Sequence, residues 1–188
     1  MRTNCVIPRL FMFLKIKIKI VGMSKARTFR LCIIALLLTH LTSYLSLAEQ
    51  KDFDSYCNGR FGFCVDYPKH FTVGPEPVNK DGKRFFNSKG FLMVAAGANN
   101  ALDYTLEQEM GFESRVFFSK IIKRKKGTNW FELWGYKDGD SVFVKTYVGQ
   151  AATNQLYIKH PRHLDEEYKI TIPKIIDSFK PGRLNFPN

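Results

Sequence analysis

The chain has 188 residues, of which 45% are hydrophobic and 14% aromatic, enough apolar side chain to bury one domain's core and too much for a disordered chain. Its formal charge of +12 is unevenly placed, because eight of the 29 basic residues and none of the 17 acids fall within residues 1–48. Residues 49–188 carry only +4, which argues against a bulk nucleic-acid binder.

The first 48 residues read as a leader. Residues 23–30 form a positive segment, 31–41 an apolar run, and Ser46 and Ala48 place small residues at the −3 and −1 positions of a cleavage site. The apolar run is about half the roughly 20 residues a membrane-spanning helix needs, so cleavage is expected rather than anchoring. The Lys15-Ile-Lys-Ile-Lys-Ile20 alternation upstream sits awkwardly before a secretory signal, which suggests translation from Met23. Cleavage would remove Cys5 and Cys32 and leave a mature chain from Glu49 with two cysteines, Cys57 and Cys64. An even pair in an exported chain is expected to oxidise. A disulfide closing so short a loop stabilises by about 2.5 kcal/mol through the unfolded chain.

Residues 49–188 hold no repeat and no linker, and read as one domain. After a polar lead-in at 49–55, residues 61–67 have strand composition and stop at Pro68. A loop rich in Pro, Asn, Asp and Gly follows, then strands at 83–87 and 91–96. The period then changes: Thr105 and Gln108 form a capping box, and Leu106, Met110 and Phe117 recur at helical spacing. Strands are predicted at 120–125, 129–136 and 141–149, the last two joined across Lys137-Asp-Gly-Asp140, with Val142, Val144, Thr146 and Val148 on one face. A last strand at 155–159 gives way to helix at His160-Pro161, which Pro173 kinks or restarts with Thr171 as cap. Large apolar groups on both faces of the strands imply a sheet covered on both sides. The expected fold is an α/β/α sandwich with a mostly antiparallel sheet of six to seven strands and two helices.

Gly62-Phe-Cys-Val-Asp-Tyr-Pro68, the central hairpin and the terminal Ser178-Phe-Lys-Pro181 together resemble the PsbP-like sandwich family across residues 56–182. That fold hosts photosystem extrinsic subunits, a nuclear-transport cofactor and exported bacterial proteins. The resemblance implies a non-enzymatic accessory or partner-binding domain, to which the Cys57 to Cys64 staple is an addition.

Chemical motifs are sparse. The chain has no Gly-x-Ser-x-Gly elbow and no phosphate-binding glycine loop. His160 and His163 are spaced to share a helix face, but a solvent-exposed helix start accounts for them without a metal, and no cofactor is expected. Asp165-Glu-Glu167 suits a helix N-terminus. Two features remain. Lys120, Lys123, Arg124, Lys125 and Lys126 form a basic cluster, read either as a charged edge that discourages aggregation or as a site for an anionic partner. Trp130, Trp134 and Tyr136 alternate on one side of a strand, as core under a helix or as a stacking platform. The resulting expectation is an exported, periplasmic or secreted, non-catalytic binding or accessory protein of the cell envelope, whose partner is a protein or an anionic envelope component and not a specific nucleic acid. An enzyme inhibitor or immunity-type protein is the alternative, with an envelope hydrolase behind it.

Overall fold

The computed structural model of the protein describes residues 52–185. The leader, the start at Met23 and the cleavage after Ala48 lie outside the described residues. A hairpin of β1 (Phe53–Cys57) and β2 (Cys64–Pro68) forms a two-stranded sheet by itself. The main sheet contains β3 (Thr72–Val73), β4 (Gly82–Phe86), β5 (Leu92–Asn99), β6 (Lys120–Lys126), β7 (Trp130–Lys137), β8 (Asp140–Val148) and β9 (Ala152–Pro161). Its order is β3-β4-β5-β9-β8-β7-β6, with every neighbouring pair antiparallel. Helix α1 (Leu106–Phe117) connects the two halves, and a 3-10 turn (Arg162–Leu164), α2 (Asp165–Tyr168) and α3 (Thr171–Ser178) follow β9.

Each sheet face has its own core. On one, Met93, Ala95, Leu156 and Ile158 pack with Phe63 and Val65 of the hairpin and with Ile172, Ile175, Ile176 and Phe179 around α3. On the other, Val142, Val144, Val148, Phe131 and Leu133 pack under Leu106, Met110 and Phe117 of α1. The sandwich expected from two-sided strands is therefore present, with the β1–β2 hairpin sharing the work of the second helical layer. The tight turn of the β7–β8 hairpin follows from its sequence. Asp138 and Gly139 both have positive φ, at 51° and 88°, as a two-residue turn matching strand twist requires. This fixes Lys137 opposite Asp140 and the whole register behind it.

Four local expectations need correction. Residues 49–55 are not merely a polar lead-in, since β1 begins at Phe53 and pairs with β2 so that Cys57 faces Cys64. The two are disulfide-bonded, with Cα atoms 4.1 Å apart. The strand predicted from Phe61 starts at Cys64, because the Asn58 side chain accepts from the Arg60 and Phe61 amides and holds residues 58–63 in a turn. The last strand runs on through His160 and Pro161, where a helix was expected, since pairing with Ser141 and Asp140 holds them extended. Helix α3 has Ile170 at its N-cap with no side-chain bond, so Thr171 does not cap it. Pro173 falls in its first turn, where a missing N–H costs nothing.

The capping box at α1 forms as read. Gln108 N donates to Thr105 Oγ1 at 3.3 Å, and Thr105 N donates to Gln108 Oε1 at 2.9 Å. Thr105→Ala is expected to lower stability by about 1 kcal/mol in a denaturant melt, with a native spectrum retained.

Candidate functional site: a cationic aromatic sheet face

Strand β6 is the edge of the main sheet. Its β-branched Ile121 and Ile122 favour extended backbone, and lysine, which surrounds them, is a side chain that disfavours edge-to-edge pairing. A register shift between Ile121 and Lys123 leaves Ile122 unpaired and 55% exposed. Beyond it Lys123 lies opposite Trp134 and Lys125 opposite Glu132, whereas Arg124 and Lys126 face the α1 side opposite Leu133 and Phe131. The basic cluster is thus split between two faces. Lys126 leaves the site altogether by pairing with Glu107 of α1 at 3.2 Å, and its ammonium holds the Glu107 carboxyl below the usual range.

On the Trp134 face the two sequence features meet. Lys123 Nζ lies 5.9 Å from the Trp134 ring centroid, and Arg162 Cζ lies 4.0 Å over Tyr136. Lys145 Nζ is 5.5 Å from the Trp130 ring and 5.7 Å from that of Tyr147. Each ring of the predicted platform therefore carries a cation over it, a contact worth roughly 0.5–2 kcal/mol depending on desolvation. Beneath them Glu132, 6% exposed, holds Lys145 at 3.3 Å and Lys125 at 3.5 Å. Glu132 is the single carboxylate in this row, so the face stays net positive. The three aromatic residues are half-buried, neither fully core nor a free platform. Lys120 is exposed on the same strand and Arg124 on the α1 side, each without an acidic partner among the described residues.

Lys145, Tyr147 and Arg162 were missed from sequence. Lys145 was reachable, because counting back from the Asp138-Gly139 turn sets it opposite Glu132. Arg162 was not, since it arrives on the 3-10 turn after a strand whose end was misplaced.

Beside this face is a pocket of about 230 Å³, walled by Trp134, Phe143, Tyr168 and Ile172, with Ser141, His160 and Asp165 at one side. Ser141 Oγ donates to Asp165 Oδ1 at 2.6 Å, and His160 Nδ1 lies 3.1 Å from Pro161 O but 3.8 Å from that same carboxylate oxygen. A hydrolytic triad needs the hydroxyl on the imidazole. Here it is on the acid, so the three groups form no nucleophile and base pair. His160 is buried and stacked on Phe91, whereas His163 is exposed, and no three metal-ligating side chains converge among the described residues. The Trp134 indole N–H is the one buried side-chain donor among the described residues that has no hydrogen-bond partner, a condition costing about 1–3 kcal/mol.

The other unusual group is Glu113 of α1, 1% exposed against the opposite sheet face. Thr146 Oγ1 donates to its Oε1 at 2.8 Å and Gln155 Nε2 to the same oxygen at 2.6 Å. Burial, only partly offset by these bonds, pushes its carboxyl up to about 8, and neighbouring Glu109 is also raised by burial.

No protein-family model matches the sequence, and no curated protein matches it. Among solved structures it is similar to cyanobacterial PsbP (CyanoP) from Synechocystis sp. PCC 6803, at 11% identity and a TM-score of 0.53 over 69% of this chain and 92% of that one. A Bacteroides thetaiotaomicron protein aligns at 12% identity and a TM-score of 0.44, over 70% of this chain and 49% of that one. At such identity the first likeness speaks for architecture alone: the domain has a PsbP-like fold.

Proposed function

We propose that residues 49–188 form an exported, non-catalytic accessory domain that binds an anionic partner, a protein or an envelope component, through the Trp134 face of β6, β7 and β8. The observation that carries this reading is the convergence on one sheet face of two sequence features, with Lys123, Lys145 and Arg162 each set over an aromatic ring. Cations held by ring faces are partly desolvated and pre-positioned, which lowers the entropic cost of engaging an anion. Export is supported by the leader pattern and by the Cys57–Cys64 disulfide, since such bonds persist in oxidising compartments. A non-catalytic role is supported by the PsbP-like fold and by the Ser141 hydroxyl being bound to Asp165 instead of His160.

The test uses the mature domain over immobilised polyglutamate, and over partners captured from an envelope extract. Replacing Lys123 and Lys125, the two strand cations on that face, by Ser is expected to slow association while moving thermal stability little, because exposed charges add little to folding. Parent on-rates should also fall as salt shortens the Debye length from about 10 Å at 0.1 M to about 3 Å at 1 M. Equal on-rates for parent and variant at every salt would remove the proposal. The identity of the captured partner separates an accessory subunit from an enzyme inhibitor.

A further inference from the structure

Strand β6 closes one end of the main sheet, and no backbone group among the described residues pairs with its outer side. The opposite end is finished differently: β3 has two residues and runs into Gly74-Pro75, where proline interrupts a ladder. The seven residues of β6 include no proline, and Ile122 to Lys126 are all exposed. Gly127 N donates to Trp130 O at 2.8 Å, which makes these two a hydrogen-bonded pair at the start of the ladder. Such pairs alternate with unbonded ones along antiparallel strands. Lys125 and Lys123 therefore bond inward to β7, while Arg124 and Lys126, opposite Leu133 and Phe131, direct N–H and C=O away from the sheet. Groups so placed are a template for another strand.

Charge selects the strand. Lys123 and Lys125 lie on the Trp134 side of the sheet and Arg124 on the α1 side. An anionic surface laid over the Trp134 face meets the two lysines and misses Arg124. An extended chain in the plane of the sheet alternates its side chains between the two sides, so three consecutive acids reach all three cations. Opposite charges facing each other across strands stabilise, and like charges destabilise. A second copy of β6 would set cation against cation, so the side chains that keep this edge from its own kind favour an acidic one. Ile122, 55% exposed next to this stretch, offers an apolar contact to a residue flanking the acids. We infer that β6 accepts an acidic, extended segment of a partner protein as a further strand, held by the outward backbone groups of Arg124 and Lys126 and by carboxylates on Lys123, Arg124 and Lys125. The partner's charge rests on the surface reading above, and the backbone pairing is added to it.

The experiment titrates the uniformly 15N-labelled mature domain with acetyl-Thr-Glu-Glu-Glu-Val-Thr-amide. The Arg124 and Lys126 amide signals are expected to move saturably, and their hydrogen exchange to slow at least tenfold at saturation. Two N-methylated peptides separate pairing from charge, since neither alters an acid. A methyl on the middle Glu, set opposite Arg124, removes an N–H aimed at β6 and should weaken binding at least tenfold. On the preceding Glu it removes an N–H aimed at solvent and should change affinity less than threefold. Arg124→Glu should weaken the parent peptide at least fivefold, and a peptide with Lys in the middle place should recover that loss. Equal affinity of the two methylated peptides, or Arg124 and Lys126 amides unmoved by the parent peptide, overturns the inference. Capture by phosphatidylglycerol vesicles with no response to the peptide overturns it in favour of a lipid surface. The two readings fail separately: if pairing fails while the Lys123 and Lys125 variant still slows polyglutamate capture, the surface reading stands without the strand.

Discussion

Glu113→Gln is expected to remove a loss of stability that the parent protein suffers as pH rises from 5 to 8. A carboxyl whose folded value lies near 8, above the ordinary 4.5, holds its proton more tightly in the folded chain than in the unfolded one. Its contribution is complete below the unfolded value, declines as pH climbs through the interval, and is exhausted once the folded group ionises. Each pH unit within that window is worth up to about 1.4 kcal/mol, so the parent should lose roughly 3 kcal/mol more than the variant between pH 5 and 8. Glutamine has the shape of the protonated acid and keeps a donor for Glu109, with which Glu113 shares a hydrogen bond. The two proteins should therefore be nearly equal at pH 5, with the variant the more stable at pH 8. Guanidinium denaturation of both at the two pH values provides the check. Every other titrating group is common to both proteins and cancels in the difference. Parallel stability curves would show that the buried acid ionises without consequence for the fold.

Glu113 illustrates how a residue can be legible and still be missed. Positions 106, 110, 113 and 117 form one stripe at steps of four, three and four, and its apolar members alone suffice to read helix α1, which leaves the acid between them unaccounted for. A charge at a stripe position signals either a break or a buried polar contact, and the partners that decide it, Thr146 and Gln155, come from strands 33 and 42 residues away. The central hairpin was readable because its turn chemistry and alternation are both local. The hairpin of β1 and β2 was not, because its first strand offers only Phe53 and Tyr56 to a core, and its pairing is set by a covalent bond and by Phe63 packing on Phe179 at 6.0 Å. The end of β9 was lost for a related reason. Pro161 reads as a helix start, yet on the strand Arg162 N can bond Gly139 O just beyond it, so tertiary pairing overrode a local preference. Of the site, the residue types and the two clusters were visible, but not that the irregularity after Ile121 turns only Lys123 and Lys125 toward Trp134 and Glu132.

The cations of that face are also unequal in what they do for the fold, and Lys145→Met should expose the difference. Glu132 and Lys145 have side chains only 8% and 12% exposed, their atoms 3.3 Å apart. The second cation on Glu132, Lys125, is 52% exposed and 3.5 Å away. Losing Lys145 leaves a buried carboxylate with only a solvated partner, and breaking a buried pair from one side costs about 3 kcal/mol. Lys125→Met removes a charge that water already screens and should cost under about 1 kcal/mol. If the loss in Lys145→Met comes from the stranded acid and not from missing contacts with Trp130 and Tyr147, then Glu132→Gln placed on top of it should restore most of the stability, since paired apolar or neutral replacements of buried ions are often tolerated. Chemical denaturation of the parent, the two single variants and the double variant completes the cycle. A Lys145→Met protein as stable as the parent would mean that Glu132 is adequately solvated by Lys125 alone. Recovery in the double variant, with slow polyglutamate capture persisting, would assign Lys145 both tasks: it neutralises the acid under the sheet face and presents charge on it.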